Sequence, residues 1–326
     1  MRRRQFITLV GRAAVAWPLA ARAEQASRVR VGFVDFAGEN DPNALDRALV
    51  FKRGLEKLGW VPAIDYYWSV FNVERAQRAA QDVLRLTPDV IVCAGTPATK
   101  ALKQATNTVP IVFAIVTEPV AQGIVESLAH PGSNLTGFSF LEPTIGAKWL
   151  DLLMQIAPHL KHVALMFNPA SSPYSQMFFE SIETATSRFA VQAVMAPVHD
   201  VNEVEQLIAM LGRKPGSGMI VAAEGFNFAN RKLIIELTAR YRLPAIYGNF
   251  DSASNGGLIQ YTFDFIAQYA GPIVSYVDRI LRGTKPADLP VQQPAVFSLA
   301  INSKTAVTLG LNVPLPLLAV ADEVFE

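Results

Sequence analysis

The chain has 326 residues, of which 51% are hydrophobic, 17% charged and 10% aromatic, and its formal net charge is +1. This is enough apolar material for two domains of about 150 residues, each with its own core, which excludes a chain that is disordered throughout. The single cysteine, Cys93, excludes an internal disulfide and a cysteine cluster for zinc, and the balanced charge argues against a nucleic-acid surface, which needs clustered Lys and Arg.

Residues 1–23 have the composition of an export signal peptide. They hold five of the 29 basic residues and no acidic residue, and an apolar run at 13–20 precedes small residues at positions −3 and −1 of a cleavage site before Glu24. The segment 3–7 is similar to the twin-arginine export signature, although an ordinary leader can also begin with arginines. A membrane anchor fits less well, because the run contains Pro18 and is shorter than the roughly 20 residues that span a bilayer. Without the leader the chain carries 24 basic and 28 acidic residues, a net charge of −4.

After the leader, short runs rich in β-branched residues alternate with segments of helical period, which is typical of βαβ units on a parallel sheet. The first series predicts strands at 29–34, 66–71, 90–94, 111–115 and 135–138 and helices at 45–58, 74–86 and 98–105. The second series predicts strands at 162–167, 192–197, 219–223 and 244–247 and helices at 175–188, 201–211 and 230–241. Each series indicates one doubly wound lobe.

The C-terminal part departs from simple alternation. It predicts a strand, a long helix, a Pro-rich crossing segment, a strand and a helix at 257–262, 266–282, 283–294, 296–301 and 303–309. We therefore predict an α/β protein of two Rossmann-like, doubly wound lobes joined by crossing hinge strands. The export signal is assigned to 1–23, lobe I to 28–138 plus 255–284, and lobe II to 139–254 plus 285–326. Two such lobes can open and close around a small ligand.

A binding site is expected at the carboxyl ends of the strands, where loops enter helices and backbone N–H groups are free. Six loops meet this condition, at 35–40, 95–98, 117–120, 168–174, 224–230 and 248–252. The candidate ligand-binding residues in or beside these loops are Asp35, Phe36, Gly95, Thr96, Ala98, Thr117, Glu118, Asn168, Tyr174, Glu224, Phe226, Tyr247 and Phe250.

The chemistry of these loops suits a small carboxylate or amine. The run Gly95-Thr96-Pro97-Ala98 offers backbone amides and a hydroxyl that could bind a carboxylate, and it is equally typical of an ordinary helix start. Glu118 could pair with a ligand ammonium or could be an acid favoured by the helix dipole, and the same two interpretations hold for Asp35 and Glu224. The aromatic residues of the loops favour an aromatic-walled pocket.

Sequence motifs for catalysis do not occur in the chain. There is no G-x-S-x-G elbow, no phosphate-binding P-loop, no G-x-G-x-x-G fingerprint and no H-E-x-x-H helix. The four histidines do not form a cluster, and Cys93 lies within a predicted strand, where it is interpreted as a core residue. We expect no catalytic residue, no metal ion and no cofactor.

Several segments together resemble one known family. They are the leader at 2–23, Ser-Leu-Ala-His-Pro-Gly-Ser-Asn-Leu-Thr-Gly at 127–137, Leu-Pro-Ala-Ile-Tyr at 243–247, Gly-Gly-Leu at 256–258, Lys-Pro-Ala-Asp-Leu-Pro at 285–290 and Ala-Asp-Glu-Val at 321–324. With these motifs, which cover nearly the whole chain, the sequence resembles the ABC-transporter substrate-binding family of the tryptophan-import type, whose members are type I periplasmic binding proteins.

The resemblance implies a periplasmic protein that closes around a small amphipathic solute and delivers it to an ABC permease in the membrane, and we expect the chain to be a monomer. The implied solute is an aromatic or branched amino acid or a related carboxylate. Thr96 and Ala98 would lie in the anion site, with Thr117 and Glu118 opposite, although the family commonly has Asp at the position of Glu118. An exported α/β enzyme and a ligand-sensing partner of a membrane receptor are the alternatives, and no nucleic-acid partner is expected.

Overall fold

The computed structural model describes residues 27–70, 72–293 and 297–326. The export signal predicted at 1–23 lies outside the described residues. The first of two sheets is parallel, in the order β2-β1-β3-β4-β5, and consists of β1 (Ser27–Asp35), β2 (Trp60–Trp68), β3 (Val90–Ala94), β4 (Ile111–Val116) and β5 (Leu135–Ser139). Its connecting helices are α1 (Pro42–Lys57), α2 (Val73–Arg85) and α3 (Thr96–Ala105).

The strand β2 differs from its prediction at 66–71, because it begins at Trp60 and ends at Trp68. It is the edge strand of its sheet and pairs only with β1 among the described strands. An edge strand tolerates Pro62, which has no N–H for a ladder hydrogen bond. Because β2 contains this proline and is half-exposed, it lacks the continuous apolar run by which a buried strand is predicted from sequence.

The chain then enters the second lobe. Its helices and strands alternate as α4 (Ile145–Ile156), β6 (His162–Phe167), α5 (Ser175–Thr186), β7 (Gln192–Pro197), α6 (Val201–Arg213), β8 (Ser217–Val221), α7 (Gly225–Ala229), α8 (Arg231–Arg240) and β9 (Ala245–Tyr247). The helix α4 had no counterpart in the sequence analysis. It buries eight residues, among them Trp149, whose indole N–H donates to the carbonyl of Tyr261 at 2.9 Å.

The remaining elements complete both lobes. They are β10 (Ile259–Phe263), α9 (Phe265–Ala270), α10 (Pro272–Leu281), a 3-10 turn (Pro286–Asp288), β11 (Phe297–Asn302), α11 (Ser303–Leu309), α12 (Leu315–Ala319) and β12 (Glu323–Phe325). The second sheet has the order β12-β11-β10-β9-β8-β6-β7, in which β10 and β11 pair antiparallel and the other neighbours are parallel.

Two segments connect the lobes within the described residues: one follows β5, and one lies between β10 and α9. The segment 255–284, predicted for lobe I, is divided, because β10 lies in the second sheet whereas α9 and α10 pack on α1. Gln292, predicted for lobe II, instead exchanges backbone hydrogen bonds with Gly137 and Ser139 of β5. Sequence pattern indicates a strand and not which open sheet edge it joins, which accounts for both differences.

Short polar caps fix where the helices facing the other lobe begin. The Asp41 carboxylate accepts the backbone N–H of Asn43 at 3.0 Å and starts α1, and Asn72 caps α2 in the same way through the N–H of Arg75 at 2.9 Å. Such caps satisfy backbone donors that have no partner inside the helix. Among the described residues, no helix combines the length and the apolar character that crossing a membrane requires.

The close approach of β5 to β4 gives a test of the first sheet. Gly137 has φ +155°, and a Cβ there would lie 2.0 Å from the carbonyl oxygen of Phe113, so an added methyl group must displace the backbone. We expect Gly137→Ala to lower the free energy of unfolding by on the order of 3 kcal/mol in urea titrations. Gly38→Ala, where a Cβ meets nothing within 4 Å, serves as the control. Equal stability of the two variants would contradict the strand pairing described here.

Candidate ligand-binding site

A cavity of about 680 Å³ lies between the two lobes and is lined by residues of both. The loops that follow β1, β2, β3, β6, β8 and β9 all reach it, as expected for the carboxyl ends of parallel strands. Seven of the predicted ligand-binding residues line this cavity: Phe36, Thr96, Asn168, Tyr174, Glu224, Phe226 and Phe250.

In the first lobe, the first turn of α3 faces the cavity through Thr96, Pro97 and Lys100. The helix begins at Thr96, and its N-cap is Gly95, which has φ +89° and no side chain. Thr96 is therefore the first helical residue. The positive end of the helix dipole, its free N–H groups and the Lys100 ammonium together make this side of the cavity favourable for an anion.

In the second lobe, Glu224 places a carboxylate in the cavity wall. It caps α7 by accepting the backbone N–H groups of Phe226 at 2.7 Å and Asn227 at 2.9 Å, and it also accepts the hydroxyl of Ser171. The residue is 5% exposed, and burial raises the pKa of Glu224 to about 7 although these hydrogen bonds act in the opposite direction. A buried carboxylate of this kind gains most from a cationic partner, which would lower its pKa again.

Aromatic rings form much of the remaining wall. Phe36 of the first lobe meets Phe228 of the second with ring centroids 5.4 Å apart, and Phe228 meets Phe250 at 4.8 Å. Phe265, at the start of α9, continues this cluster at 4.6 Å from Phe250. The site is thus an apolar, aromatic space whose lining also contains Lys100 and Glu74 from the first lobe and Glu224 from the second.

Tyr174 adds a polar tip to this wall. Its hydroxyl lies beside the side chains of Thr117, in the first lobe, and Ser172. Burial raises the pKa of Tyr174, so the hydroxyl is protonated at neutral pH and can donate a hydrogen bond. Thr117 does not line the cavity itself but is buried behind it, where its carbonyl accepts the Gln122 amide at 2.7 Å.

Asp35 has a structural role that the sequence analysis did not assign to it. Its carboxylate is fully buried and forms two hydrogen bonds with the Arg47 guanidinium, at 2.8 and 3.0 Å, and a third with the backbone N–H of Ala37 at 2.8 Å. Asp35 therefore does not line the cavity, and its charge is already neutralised by Arg47. It anchors the loop that presents Phe36.

Four more candidates lie outside the cavity lining. Tyr247 is in the core, where its hydroxyl bonds to Thr238 at 2.7 Å and burial raises its pKa. Ala98 is 1% exposed beneath the first turn of α3, and Gly95 is its N-cap. Glu118 adopts φ +50° and its carbonyl accepts the N–H of Gln122 at 3.0 Å, so it begins a turn beside the site.

Other lining residues were not among the candidates: Val70, Asn72, Val73, Glu74, Pro97, Lys100, Ile115, Gln122, Phe140, Ala170, Ser171, Pro173, Gly225, Phe228, Ala229, Asn249 and Phe265. Lys100 could have been found, because it lies one helical turn after Thr96 and so shares its face. Phe140 and Phe265 follow the ends of β5 and β10 in the segments that connect the lobes, and these segments were not among the six candidate loops. Cys93 is buried, and burial raises its pKa to about 12, as suits a core thiol.

The fold and the site define a two-lobed α/β protein with a cavity between its lobes. The family described as ABC transporter substrate binding protein matches residues 46–325, and the chain belongs to this family. The family consists of solute-binding proteins and not of enzymes, and its members are typically extracytoplasmic. The resemblance seen in the sequence is thereby confirmed, and the exported-enzyme alternative is not retained.

Individual relatives agree with this assignment. The chain is 25% identical over 277 residues to a tyrosine-binding protein of Clostridioides difficile (strain R20291), covering 82% of this chain and 78% of that protein. Its fold matches an ABC domain in complex with L-Trp from Streptococcus pneumonia with a TM-score of 0.82 at 21% identity, covering 92% of this chain and 100% of that one. A ligand-free, open substrate-binding protein with adhesive properties from Clostridium difficile matches with a TM-score of 0.70 at 22% identity, covering 91% and 99%. The fold is that of type I periplasmic binding proteins, as predicted.

The raised pKa of Glu224 makes stability depend on pH. Its carboxyl titrates near 4.5 in an unfolded chain and near 7 in the folded one, so between these values the folded state binds more protons and stability falls as pH rises. We expect this group to reduce the free energy of unfolding of the ligand-free protein by about 3 kcal/mol across that window.

Urea titrations from about pH 5 to about pH 8 measure this effect. Glu224→Gln should remove the corresponding part of the slope, because a glutamine amide does not titrate. Asp200→Asn, a change at the exposed N-cap of α6, should keep the wild-type slope. A Glu224→Gln protein with the full wild-type pH dependence would contradict the assignment.

Proposed function

We propose that this protein is the periplasmic solute-binding component of an ABC-type importer and that its solute is an α-amino acid with a large aromatic side chain. The observation that carries the proposal is the distribution of charge around the cavity. The α3 N-terminus and Lys100 make one lobe favourable for a carboxylate, and Glu224 gives the other lobe an acceptor for an ammonium group. An amino acid carries both charges.

The apolar part of the cavity supports an aromatic side chain. The rings of Phe36, Phe228 and Phe250 line this part of the cavity. Pairs of aromatic rings contribute stabilisation beyond the apolar area that they bury. The Tyr174 hydroxyl can form a hydrogen bond with a polar group at the edge of the ligand's aromatic ring. A volume of about 680 Å³ is within the range of pockets that enclose small organic ligands. The tyrosine-binding relative and the L-Trp complex support this choice of solute class.

Binding closes the protein around the solute because the closed state has the higher affinity for it. A zwitterion held by α3 on one side and by Glu224 on the other satisfies both charged groups only when the lobes are together, so ligand binding shifts the population toward closure. The closed, monomeric protein would then be recognised by the membrane permease, with the export signal at 1–23 directing the chain to the periplasm.

Ligand analogues test the two charged subsites separately. L-Tyrosine and L-tryptophan should bind in calorimetry, whereas tyramine, which lacks the carboxylate, and 3-(4-hydroxyphenyl)propionate, which lacks the ammonium, should bind far more weakly. Glu224→Gln should weaken the binding of L-tyrosine by about tenfold to a hundredfold, because the ligand's ammonium group would lose its buried ionic partner. It should not weaken the propionate.

The matched control is Asp200→Asn, which also changes a helix-capping carboxylate but lies outside the cavity lining. It should bind L-tyrosine as the wild type does. If none of the aromatic amino acids binds the wild-type protein, the proposed solute class is wrong. If L-tyrosine binds equally to Glu224→Gln, Glu224 is not the ammonium acceptor.

Export is tested in a Gram-negative host. We expect periplasmic protein whose first residue is Glu24, as determined by N-terminal sequencing. Replacing both arginines of the signature, Arg3→Lys with Arg4→Lys, should block export if the twin-arginine translocase carries the chain, because that route depends on the arginine pair. Unchanged export of this double variant would indicate an ordinary leader, and a retained leader would contradict processing at this position.

A further inference from the structure

We propose that Arg231 is a positioning residue for ligand binding: its guanidinium bonds the second lobe to Asp41 of the first lobe beside the cavity and so holds the cleft closed. The inference rests on the proposed function for its ligand and adds a group that does not line the cavity. The cation and its partners Asp41, Asn43 and Asp251 are called the interlobe cluster below.

The guanidinium of Arg231 uses each of its nitrogens. Nη2 donates to Asp41 at 3.1 Å, Nε donates to both carboxylate oxygens of Asp251 at 3.1 and 3.2 Å, and Nη1 donates to the carbonyl of Phe228 at 3.0 Å. Arginine suits this arrangement because its planar fork directs several donors at fixed angles. A lysine could satisfy only part of the set.

Two bonds of the interlobe cluster pass between the lobes. Asp41 and Asn43 lie at the start of α1 in the first lobe, whereas Arg231 on α8 and Asp251 after β9 lie in the second. The first bond joins Arg231 to Asp41, and the second runs from the Asn43 side-chain amide to Asp251 at 3.1 Å. An opening motion that separates α1 from α8 breaks both bonds, so on this proposal they stabilise the closed arrangement selectively. The Arg231–Asp251 pair lies within one lobe and survives opening.

Burial makes the cross-lobe ion pair stronger than a surface pair. The side chains of Arg231 and Asp41 are 15% and 12% exposed, and that of Asp251 is 17% exposed. Exposed ion pairs contribute little because water and salt screen them, and partly buried pairs are screened much less. The cluster contains one cation and two carboxylates, so without Arg231 the two acids would face each other across the lobe boundary.

The interlobe cluster is also coupled to the wall of the cavity. The Arg231 guanidinium carbon lies 4.1 Å from the ring centroid of Phe228, which lines the cavity, and Asp251 directly follows the lining residue Phe250. Asp251 has φ +56°, a conformation that is uncommon for a residue with a side chain and that directs its carboxylate to Arg231. Formation of the Arg231–Asp41 ion pair and the positions of the Phe228 and Phe250 rings are therefore linked by direct contacts.

Asp41→Asn tests the cross-lobe bond and keeps the helix start, because asparagine is as good an N-cap as aspartate. The affinity for L-tyrosine should fall by about tenfold, because the variant loses an ion pair that forms on closure. This loss should appear as faster dissociation of L-tyrosine. The thermal midpoint of the ligand-free variant should fall only slightly, because in that protein the cross-lobe bond stabilises the closed fraction alone. Arg240→Gln, on the same helix α8 but in an exposed pair with Glu236, is the control and should leave the dissociation rate unchanged.

A double-mutant cycle separates closure from simple stability. Asp41→Asn and Arg231→Gln should be coupled in L-tyrosine affinity, in addition to any coupling in the thermal midpoint of the ligand-free protein. Arg231→Lys should recover part of the affinity lost in Arg231→Gln. Coupling that appears only in the ligand-free midpoint, or a wild-type dissociation rate in Asp41→Asn, would overturn the proposal.

A second measurement needs no ligand. Spin labels attached after Lys52→Cys on α1 and Lys232→Cys on α8 report the distance between the lobes by pulsed electron resonance, and the native Cys93 is buried and does not compete. Asp41→Asn should shift the distances toward longer values, and Arg240→Gln should not. An unchanged distribution in Asp41→Asn overturns the inference. Failure of L-tyrosine to bind the wild type rejects the proposed solute alone, because the distance measurement does not depend on it.

Discussion

The cleft depends on one buried ion pair, Asp35 with Arg47, at the carboxyl end of β1. Both side chains are fully buried, and their two hydrogen bonds join β1 to α1. The backbone carbonyl of Asp35 also accepts the N–H and hydroxyl of Ser69, which ties the loop after β2 to the same point. Removing one partner from a buried pair leaves an uncompensated charge, so the pair acts as a unit. It sets the position of three features at once: the Phe36 ring, the start of α1 and the loop that leads into α2.

The pair also connects the cavity wall with the lobe boundary. The Arg47 guanidinium lies 4.6 Å from the centroid of Phe36 and 5.5 Å from that of Phe250, which belong to opposite lobes. The N-cap of the same helix α1 is Asp41, whose carboxylate accepts a hydrogen bond from Arg231. The helix α1 and its N-cap thus provide both the Arg47 cation beneath the aromatic wall and the Asp41 anion at the lobe boundary. The packing of the wall and the closure of the lobes therefore depend on the same helix.

The sequence predicted most strands of both sheets and seven of the 24 residues that line the cavity, for physical reasons that can be stated. Strands such as β3 and β4 are continuous apolar runs and are buried along their whole length. Asp35 and Glu224 look alike in sequence, since each follows a strand, and only the partner decides their roles. For Asp35 a signal existed: Arg47 lies between Ala44 and Phe51 on the apolar stripe of α1, where a charge requires a buried partner. Lobe assignment of the C-terminal strands could not be read, because both sheets have open edges that a strand can join.

The connections between the lobes explain how an occupied cavity can change the lobe arrangement. Phe140 follows β5 and Phe265 follows β10, so each lies where the chain passes from one lobe to the other, and both line the cavity. Phe265 stacks on Phe263 at 4.0 Å and touches Phe250 at 4.6 Å, which joins the hinge to the second lobe's wall. A ligand that packs against these rings therefore contacts the hinge itself. Because both of these connections restrict the relative motion of the lobes, such contacts bias the opening equilibrium without a separate relay between site and hinge.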